Sequence, residues 1–260
     1  MPRSVLRYLH GQASIVEDRL VAESPVEFRL HGVPVAVLMS TPGNEEELGL
    51  GFSITEGIVI GPHEVDSVTL IAGSNEGDRY SINLAQGVTV DPEQFARNFF
   101  TSSSCGVCGK ASIDAVRIAA RTMKPGPHLD PSVISSLPDT MRRHQPEFDE
   151  SGSTHAAAAF TTEGELVALF EDIGRHNAID KLVGHLARQQ WPLKRYIFFV
   201  SGRVSFEMVQ KAAVAGIPAI GGISGASDLA VELGEELLMS VFGFVRNDSF
   251  NVYCGDDRFV

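Results

Sequence analysis

Three shortages in this 260-residue sequence limit what the protein does. Its three cysteines are too few, and odd in number, for a disulfide framework, so a reducing cytoplasm is the expected compartment. No apolar run approaches the length that crosses a bilayer, and the first four residues do not lead into a signal peptide, which predicts no membrane association. Basic residues are scarce, 21 against 33 acidic ones, and the net charge of −12 argues against sequence-independent binding to nucleic acid.

The spacing of apolar residues divides the chain into two regions. In the first third, strands are predicted at 26–30, 33–39, 68–71 and 80–84, with a helix that begins after Asn44 and runs towards Gly57. Beyond residue 154, strands are predicted at 166–170, 196–200, 217–220, 241–245 and 250–253, and helices at 178–187, 206–215 and 229–238. This alternation predicts a layered α/β/α domain with a largely parallel sheet. We therefore expect a smaller N-terminal α+β domain over 1–98 and a larger α/β domain over 99–260, which includes a polar, proline-bearing excursion at 125–153.

Two of the cysteines, Cys105 and Cys108, form a Cys-x-x-Cys on a polar, glycine-containing segment. Apolar residues recur at helical spacing from Ala111, which predicts that the cysteines precede a helix N-terminus. The free N–H groups and the dipole of that terminus favour an anionic sulfur. An ordinary thiol is only a few per cent ionised near neutral pH, and lowering its pKa to about 7 makes roughly half of it thiolate. The segment is therefore predicted to be reactive.

A Cys-x-x-Cys also occurs in zinc and redox proteins, and the surrounding residues weigh against both. A closed four-cysteine zinc site needs a second Cys-x-x-Cys, which this chain lacks. Zinc deaminases use His-x-Glu before Pro-Cys-x-x-Cys, whereas here His155 follows the cysteines, Ala157 replaces the glutamate and Ser104 replaces the proline. The preceding residues are too polar for the buried strand of a thioredoxin-like unit. Sulfur transfer is favoured and no metal is expected, while zinc, redox and inert cysteines stay as alternatives.

Three polar groups follow predicted strands, which is where α/β domains bind ligands. A tight glycine turn, backbone N–H groups and an arginine fork suit an anion, so the three groups predict a pocket for a phosphorylated ligand. The alternatives are ordinary ones: Asp172 pairs with Arg175, Asn177 caps a helix, and 247–248 form a turn. His155, which precedes another strand, either lines this pocket or is a structural histidine. The groups are Gly174, Arg175, His176 and Asn177; Ser201, Gly202 and Arg203; and Phe244, Val245, Arg246, Asn247, Asp248 and Ser249.

Taken together, these segments resemble the formate dehydrogenase accessory sulfurtransferase family of the FdhD type. The resemblance runs in order from about residue 40 to the C-terminus and is specific as a combination. Besides the cysteine segment and the strand-end groups, it includes Ser40–Gly43 with Glu46-Glu47-Leu48, Thr55-Glu56-Gly57, Thr154–Ala157, Glu207–Lys211, and the ending Gly243–Arg246 with Phe250–Tyr253.

The resemblance implies a sulfur carrier that takes persulfide sulfur from a cysteine desulfurase. It delivers that sulfur to the molybdenum bis(molybdopterin guanine dinucleotide) cofactor, for which a guanine nucleotide is a mimic, before the cofactor enters formate dehydrogenase. Cys105 matches the persulfide-bearing position, with Cys108 as its partner, and 244–249 match a segment assigned to the cofactor. The family implies a larger domain that resembles the cytidine deaminase fold, and a homodimer. A non-catalytic cofactor or guanine-nucleotide chaperone and a zinc-binding deaminase-like protein are the alternatives in function.

Overall fold

The computed structural model describes residues 2–74, 77–92, 95, 123, 126–246 and 248–259. The cysteine segment, the helix predicted after it, the expected domain boundary at 98–99 and Asn247 lie outside the described residues, so those predictions stay predictions. Over the described part of the chain, no helix is long and apolar enough to cross a membrane.

The N-terminal part contains an exposed hairpin and a four-stranded sheet. The hairpin consists of β1 (Pro2–Leu9) and β2 (Gln12–Arg19). The sheet has the order β4-β3-β6-β5 and is built from β3 (Ser24–Leu30), β4 (Val33–Ser40), β5 (Val65–Ser74) and β6 (Gly77–Leu84). Helix α1 (Glu45–Thr55) contributes to the same core, where Phe52 stacks on Phe28 with ring centroids 6.3 Å apart. The strands and the helix predicted between residues 26 and 84 are confirmed, and β4, which contains Pro34, is an edge strand.

The second part is built around a six-stranded sheet in the order β12-β11-β10-β9-β7-β8. Its strands are β7 (His155–Phe160), β8 (Leu166–Asp172), β9 (Ile197–Val200), β10 (Ala219–Gly222), β11 (Ser240–Arg246) and β12 (Ser249–Cys254). Its helices, in chain order, are α2 (Pro131–Arg142), α3 (Pro146–Ser151), α4 (Arg175–Ala187), α5 (Phe206–Ala215) and α6 (Asp228–Glu236).

Both faces of this sheet are covered by apolar cores, and alternate residues of each strand contribute to one core or to the other. Ala157, Phe198 and Ile220 belong to one core with residues of α4, α5 and α6. The neighbouring side chains, such as Ala158 and Phe199, belong to a second core with residues of α2. Successive strand residues point to opposite faces, so a strand buried on both sides needs this continuous apolar run. The layered α/β/α class is confirmed.

Two expectations from the sequence are corrected. The sheet is parallel only through β9, β10 and β11, because the connections of β7 to β8 and of β11 to β12 are too short for a crossover helix and form antiparallel pairs. The excursion expected at 125–153 contains α2 and α3, each with proline in its first turn. Proline fits there because that N–H has no partner within the helix, and the Asp130 carboxylate caps α2 by accepting from Ser132 N at 2.8 Å.

The two parts of the chain pack through α1 and α4. Gly51 and Gly184 lie at this contact, and a Cβ on either would overlap a backbone oxygen of the facing helix, Asp180 O for Gly51 and Glu47 O for Gly184. The absence of side chains at these two positions allows the helix backbones to touch. This close approach holds the N-terminal sheet beside the helix that begins at Arg175.

Candidate functional site

Strand direction brings the three predicted groups to one edge of the six-stranded sheet. β9, β10 and β11 run parallel, and β8 points the same way because both β8 and β9 are antiparallel to β7. Their carboxyl ends therefore lie along one edge, together with the first residue of β7, His155. Backbone hydrogen bonds connect the loops across it: Phe244 N donates to Ser224 O at 3.1 Å, and Ser224 N donates to Gly202 O at 3.3 Å. We call this the carboxyl edge.

The centre of the carboxyl edge is formed by the end of β9 and the start of β7. Ser201 N donates to Ala156 O at 3.0 Å, and Ala156 N donates to Ser201 Oγ at 2.9 Å. Gly202 lies against the ring of His155, so that even a Cβ there would be in van der Waals contact with the imidazole. Arg203 is exposed at the same place. The serine hydroxyl thus orders the turn, and the arginine beside it is free to face a ligand.

The two histidines of this region are held neutral by their surroundings. Burial, with added repulsion from Arg175 and Arg203, lowers the pKa of His155. Burial is also the largest cause at His176, where Lys211 and Arg175 contribute, and it lowers the pKa to about 3. Arg203 follows Gly202, which lies against the His155 ring, and Arg175 follows shortly after Asp172, which pairs with His155 across the β7–β8 ladder. The carboxyl edge therefore concentrates positive charge within an acidic protein, which suits an anionic ligand.

Asp172, at the end of β8, is a structural residue and not a partner of Arg175. Its buried carboxylate pairs with Lys181 at 2.7 Å and accepts from Ser40 Oγ at 2.7 Å and from Gly174 N at 2.8 Å. The expected pairing of Asp172 with Arg175 is therefore wrong, and the buried Nε of Arg175 has no hydrogen-bond partner among the described residues. A buried donor without a partner is costly unless a ligand supplies one.

Asn177 is engaged within the protein. Its Nδ2 donates to Met39 O at 2.8 Å and to Asp172 Oδ1 at 3.0 Å, which uses both amide hydrogens. The side chain is 7% exposed. It connects β4 to the loop before α4, while Gly174, Arg175 and His176 form the start of that helix.

A second buried ionic network lies between α1, α4 and α5 and was not identified from the sequence. Lys211 Nζ donates to both carboxylate oxygens of Asp180 at 2.9 Å, to Thr55 Oγ1 at 2.9 Å and to Glu56 Oε1 at 2.8 Å. Burial alone would lower the pKa of Lys211, but the carboxylates of Asp180 and Glu56 outweigh it and raise that pKa. Thr55-Glu56 and Lys211 were singled out only through the family resemblance, because their pairing is long-range.

The described residues of the last predicted group, 244–249, differ in how far their side chains are exposed to solvent. Phe244 has a left-handed backbone, with φ of 53°, and its side chain is 46% exposed beside Gly225. Val245 is fully buried in the sheet core, whereas Arg246, Asp248 and Ser249 are exposed. A non-glycine residue in the left-handed region is uncommon and clusters at functional sites. The exposed side chains of Phe244, Arg246, Asp248 and Ser249 can thus reach a ligand, whereas that of Val245 cannot.

Cys254 is the one cysteine within the described residues, and it is a packing residue. It is 8% exposed, its thiol donates to Met239 O at 3.4 Å, and burial raises its pKa. A buried thiol with a raised pKa is a poor nucleophile, so this cysteine does not share the role predicted for Cys105 and Cys108. Across the ranges that the structure describes, no group of three or more His, Cys, Asp or Glu side chains could hold a metal ion.

Comparison with known proteins gives one consistent result. A sequence model of the FdhD/NarQ family matches residues 21–260. The sulfur carrier protein FdhD of Streptomyces avermitilis is 46% identical, covering 98% of this chain and 94% of its own. The protein of the same name from Sulfolobus acidocaldarius is 38% identical, covering 95% of this chain and 94% of its own. A crystal structure of a formate dehydrogenase accessory protein from Desulfotalea psychrophila has the same fold, with a TM-score of 0.79, 20% identity and coverage of 100% and 99% of the two chains.

Proposed function

This chain belongs to the FdhD/NarQ family, and we propose that it carries sulfur from a cysteine desulfurase to a molybdenum cofactor destined for formate dehydrogenase. Relatives named sulfur carrier proteins support sulfur transfer in general. The donor, the persulfide on Cys105 and the cofactor as acceptor are our inference. The observation that carries the acceptor is the pair of arginines near His155 at the carboxyl edge, one of which has a buried donor without a protein partner.

The acceptor proposed is the bis(molybdopterin guanine dinucleotide) form of the cofactor, which is the substrate here and not a resident group. Its phosphates require charge-assisted donors, and Arg175 and Arg203 supply them beside the backbone N–H groups at the start of α4. The exposed ring of Phe244 offers an apolar surface against which a guanine base can stack.

Sulfur transfer is proposed to occur in two balanced steps. The Cys105 thiolate attacks the outer sulfur of the donor's persulfide, so a new S–S bond forms on Cys105 and the donor's cysteine leaves as a thiolate. The Cys108 thiolate then attacks the inner sulfur of the Cys105 persulfide. The outer sulfur leaves with the bonding electron pair as sulfide, which the cofactor accepts, and a Cys105–Cys108 disulfide remains. A cellular dithiol reduces that disulfide and returns both thiols for the next cycle.

The remaining expectations on partners and location belong to the same proposal. The desulfurase and formate dehydrogenase are protein partners, the active species is a homodimer, and transfer takes place in the cytoplasm. The scarcity of cysteine supports a reducing compartment.

A non-catalytic cofactor chaperone is the second candidate. It is favoured because the described part of the proposed site consists of ligand-binding groups at the carboxyl edge, whereas Cys105 and Cys108 lie outside the described residues. Reconstitution of formate dehydrogenase with the desulfurase, cysteine and this protein distinguishes the two. A sulfur carrier loses activation in both Cys105→Ala and Arg203→Ala, whereas a chaperone loses it only in Arg203→Ala. Stoichiometric zinc by elemental analysis would favour the third reading, a deaminase-like zinc protein.

A further inference from the structure

A cavity of about 480 Å³ lies at the end of the six-stranded sheet opposite the carboxyl edge. It is found where β12 ends and β11 begins, beside the last turn of α6. Cavities that bind small molecules measure about 300–1,000 Å³, so this one, which we call the rear cavity, has room for a ligand. Its charged lining residues are Glu235, Asp256, Asp257 and Arg258, and its apolar ones include Met239 and Tyr253.

Arg258 is a buried cation without a counter-ion. It is 6% exposed, and over the described part of the chain no carboxylate forms an ion pair with it. Nη1 donates to Ser240 Oγ at 3.1 Å and Nη2 donates to Leu238 O at 2.7 Å, while Nε has no hydrogen-bond partner. Each terminal nitrogen keeps one hydrogen that these bonds do not use. Because a buried charge is costly unless it is paired, Arg258 favours an anionic group in the rear cavity.

The mouth of the rear cavity has the opposite charge. Glu235, Asp256 and Asp257 are exposed there, and none of the three forms an ion pair with another described residue. A simple anion such as phosphate would be repelled by these carboxylates before it reached Arg258. A simple cation would be attracted to the mouth but would leave the buried guanidinium unpaired. The ligand that suits both ends therefore has an anionic group at one end and cationic groups at the other.

We propose that the rear cavity binds a free α-amino acid with a basic side chain. The carboxylate of the ligand accepts hydrogen bonds from the terminal nitrogens of Arg258. Its α-ammonium group and its side-chain cation face the three carboxylates at the mouth. Its methylene groups pack on Met239, which is buried, and on Tyr253, which is half-buried. This site lies away from the carboxyl edge and does not involve sulfur chemistry, so the inference goes beyond the proposed function.

Isothermal titration calorimetry of the full chain with L-arginine, agmatine and L-citrulline tests both ends of the ligand. Agmatine is arginine without its carboxylate and carries two positive charges, whereas citrulline keeps the carboxylate and has a neutral urea group in place of the guanidinium. Attraction to a protein of net charge −12 would by itself make agmatine the tightest ligand of the three. The rear cavity instead favours arginine, and we expect each analogue to bind at least about tenfold more weakly, since each loses a charge-assisted interaction.

Variants locate the binding. Glu235→Gln removes one carboxylate at the mouth, and Glu232→Gln is the matched control, because Glu232 is exposed on the same helix but does not line the rear cavity. Both variants change the net charge equally. We expect Glu235→Gln to weaken arginine binding about threefold, and Glu232→Gln to leave it unchanged. Arg258→Met should bind arginine no more tightly than agmatine. If Arg258→Met does not fold, the order of the three ligands on the wild type still decides.

A competition experiment separates the rear cavity from the carboxyl edge. Saturating guanosine diphosphate should leave the dissociation constant of arginine unchanged, because the nucleotide is expected at the other end of the sheet. The proposal is overturned if guanosine diphosphate displaces arginine, or if arginine shows no saturable binding up to about 10 mM. It is also overturned if agmatine binds as tightly as arginine, or if Glu235→Gln and Glu232→Gln have equal effects. Sulfur loading of Cys105, measured on the same protein, reports separately on the proposed function.

Discussion

Asp172 and Lys181 form an ion pair of 2.7 Å in which neither side chain is more than 1% exposed. Asp172 ends β8 and Lys181 is the seventh residue of α4, so the pair fixes the short turn through Gly174 and the position of Arg175 at the start of the helix. The same carboxylate accepts from Ser40 and Thr41 of the N-terminal part, and Lys181 Nζ donates to Thr41 O at 2.8 Å. The position of the proposed anion site thus depends on contacts from both parts of the chain.

Replacing Lys181 by methionine should lower the free energy of unfolding by about 3–5 kcal/mol, because it leaves the Asp172 charge buried and uncompensated. Urea denaturation measures the effect. Arg188→Met is the control, since Arg188 pairs with Glu46 at 3.8 Å on the surface and its loss should cost less than about 1 kcal/mol. Equal effects in the two variants would mean that Asp172 is stabilised by its hydrogen bonds alone.

Gly51→Ala should separate α1 from α4, since the added methyl group would overlap Asp180 O. Overpacking of this kind costs about 1–3 kcal/mol or more, and the shift should also weaken ligand binding at the carboxyl edge. Ser53→Ala on the same helix loses only the hydrogen bond from Ser53 Oγ to Gly49 O, worth about 1 kcal/mol. Thermal unfolding and ligand titration on both variants are the measurements. Unaltered stability in Gly51→Ala would contradict the close approach of the helices.

Arg175→Ala and Arg203→Ala should each weaken the binding of guanosine diphosphate by about 1.5–3 kcal/mol, the value of a hydrogen bond to a charged group. Arg195→Ala is the matched control, because Arg195 is exposed and precedes β9 at the opposite edge of the sheet. Isothermal titration calorimetry measures all three. Unchanged affinity in both site variants would assign the two arginines to the protein's own stability.

Acid should destabilise the protein through His176, whose pKa is about 3 when folded and 6.5 ordinarily. Between these values the unfolded chain binds more protons at this residue, so the free energy of unfolding falls as the pH falls. Between about pH 7 and pH 5 the wild type should lose about 2 kcal/mol more than His176→Gln. Urea titrations at both pH values test this. Parallel losses in the two proteins would show that folding does not lower the pKa of His176.

Local sequence patterns predicted the elements well where periodicity and end signals agreed. The helix at 206–215 has the bounds of α5, and β3, β4 and the strands from β8 to β12 were each located within a few residues. The two helices within the expected excursion at 125–153 were missed because proline was taken as a break, although Pro131 and Pro146 occupy first-turn positions that accept it. The hairpin of β1 and β2 was also not predicted.

Long-range pairing marks the limit of prediction for the site. The strand order places the three predicted groups together at the carboxyl edge of the sheet. This agrees with the expectation drawn from their positions directly after strands. Nothing local, however, distinguishes Lys181 or Lys211 from surface lysines, since their partners are fixed only when α1, α4 and β8 pack together. The assignment of Asn177 to the ligand likewise overlooked Met39 O, which is distant in the sequence and accepts one of its amide hydrogens.

The central claim, that this protein carries sulfur on Cys105, is tested most directly by intact-protein and peptide mass spectrometry after incubation with a cysteine desulfurase and cysteine. We predict the added mass of one sulfur atom on the peptide that contains Cys105, its loss on treatment with a dithiol, and no such addition on Cys105→Ala. Cys254→Ala is the control. It should load normally, because burial raises the pKa of the Cys254 thiol in the wild type and makes it a poor acceptor of sulfur. Absence of added sulfur on the wild type, or equal loading of Cys105→Ala, would contradict the account.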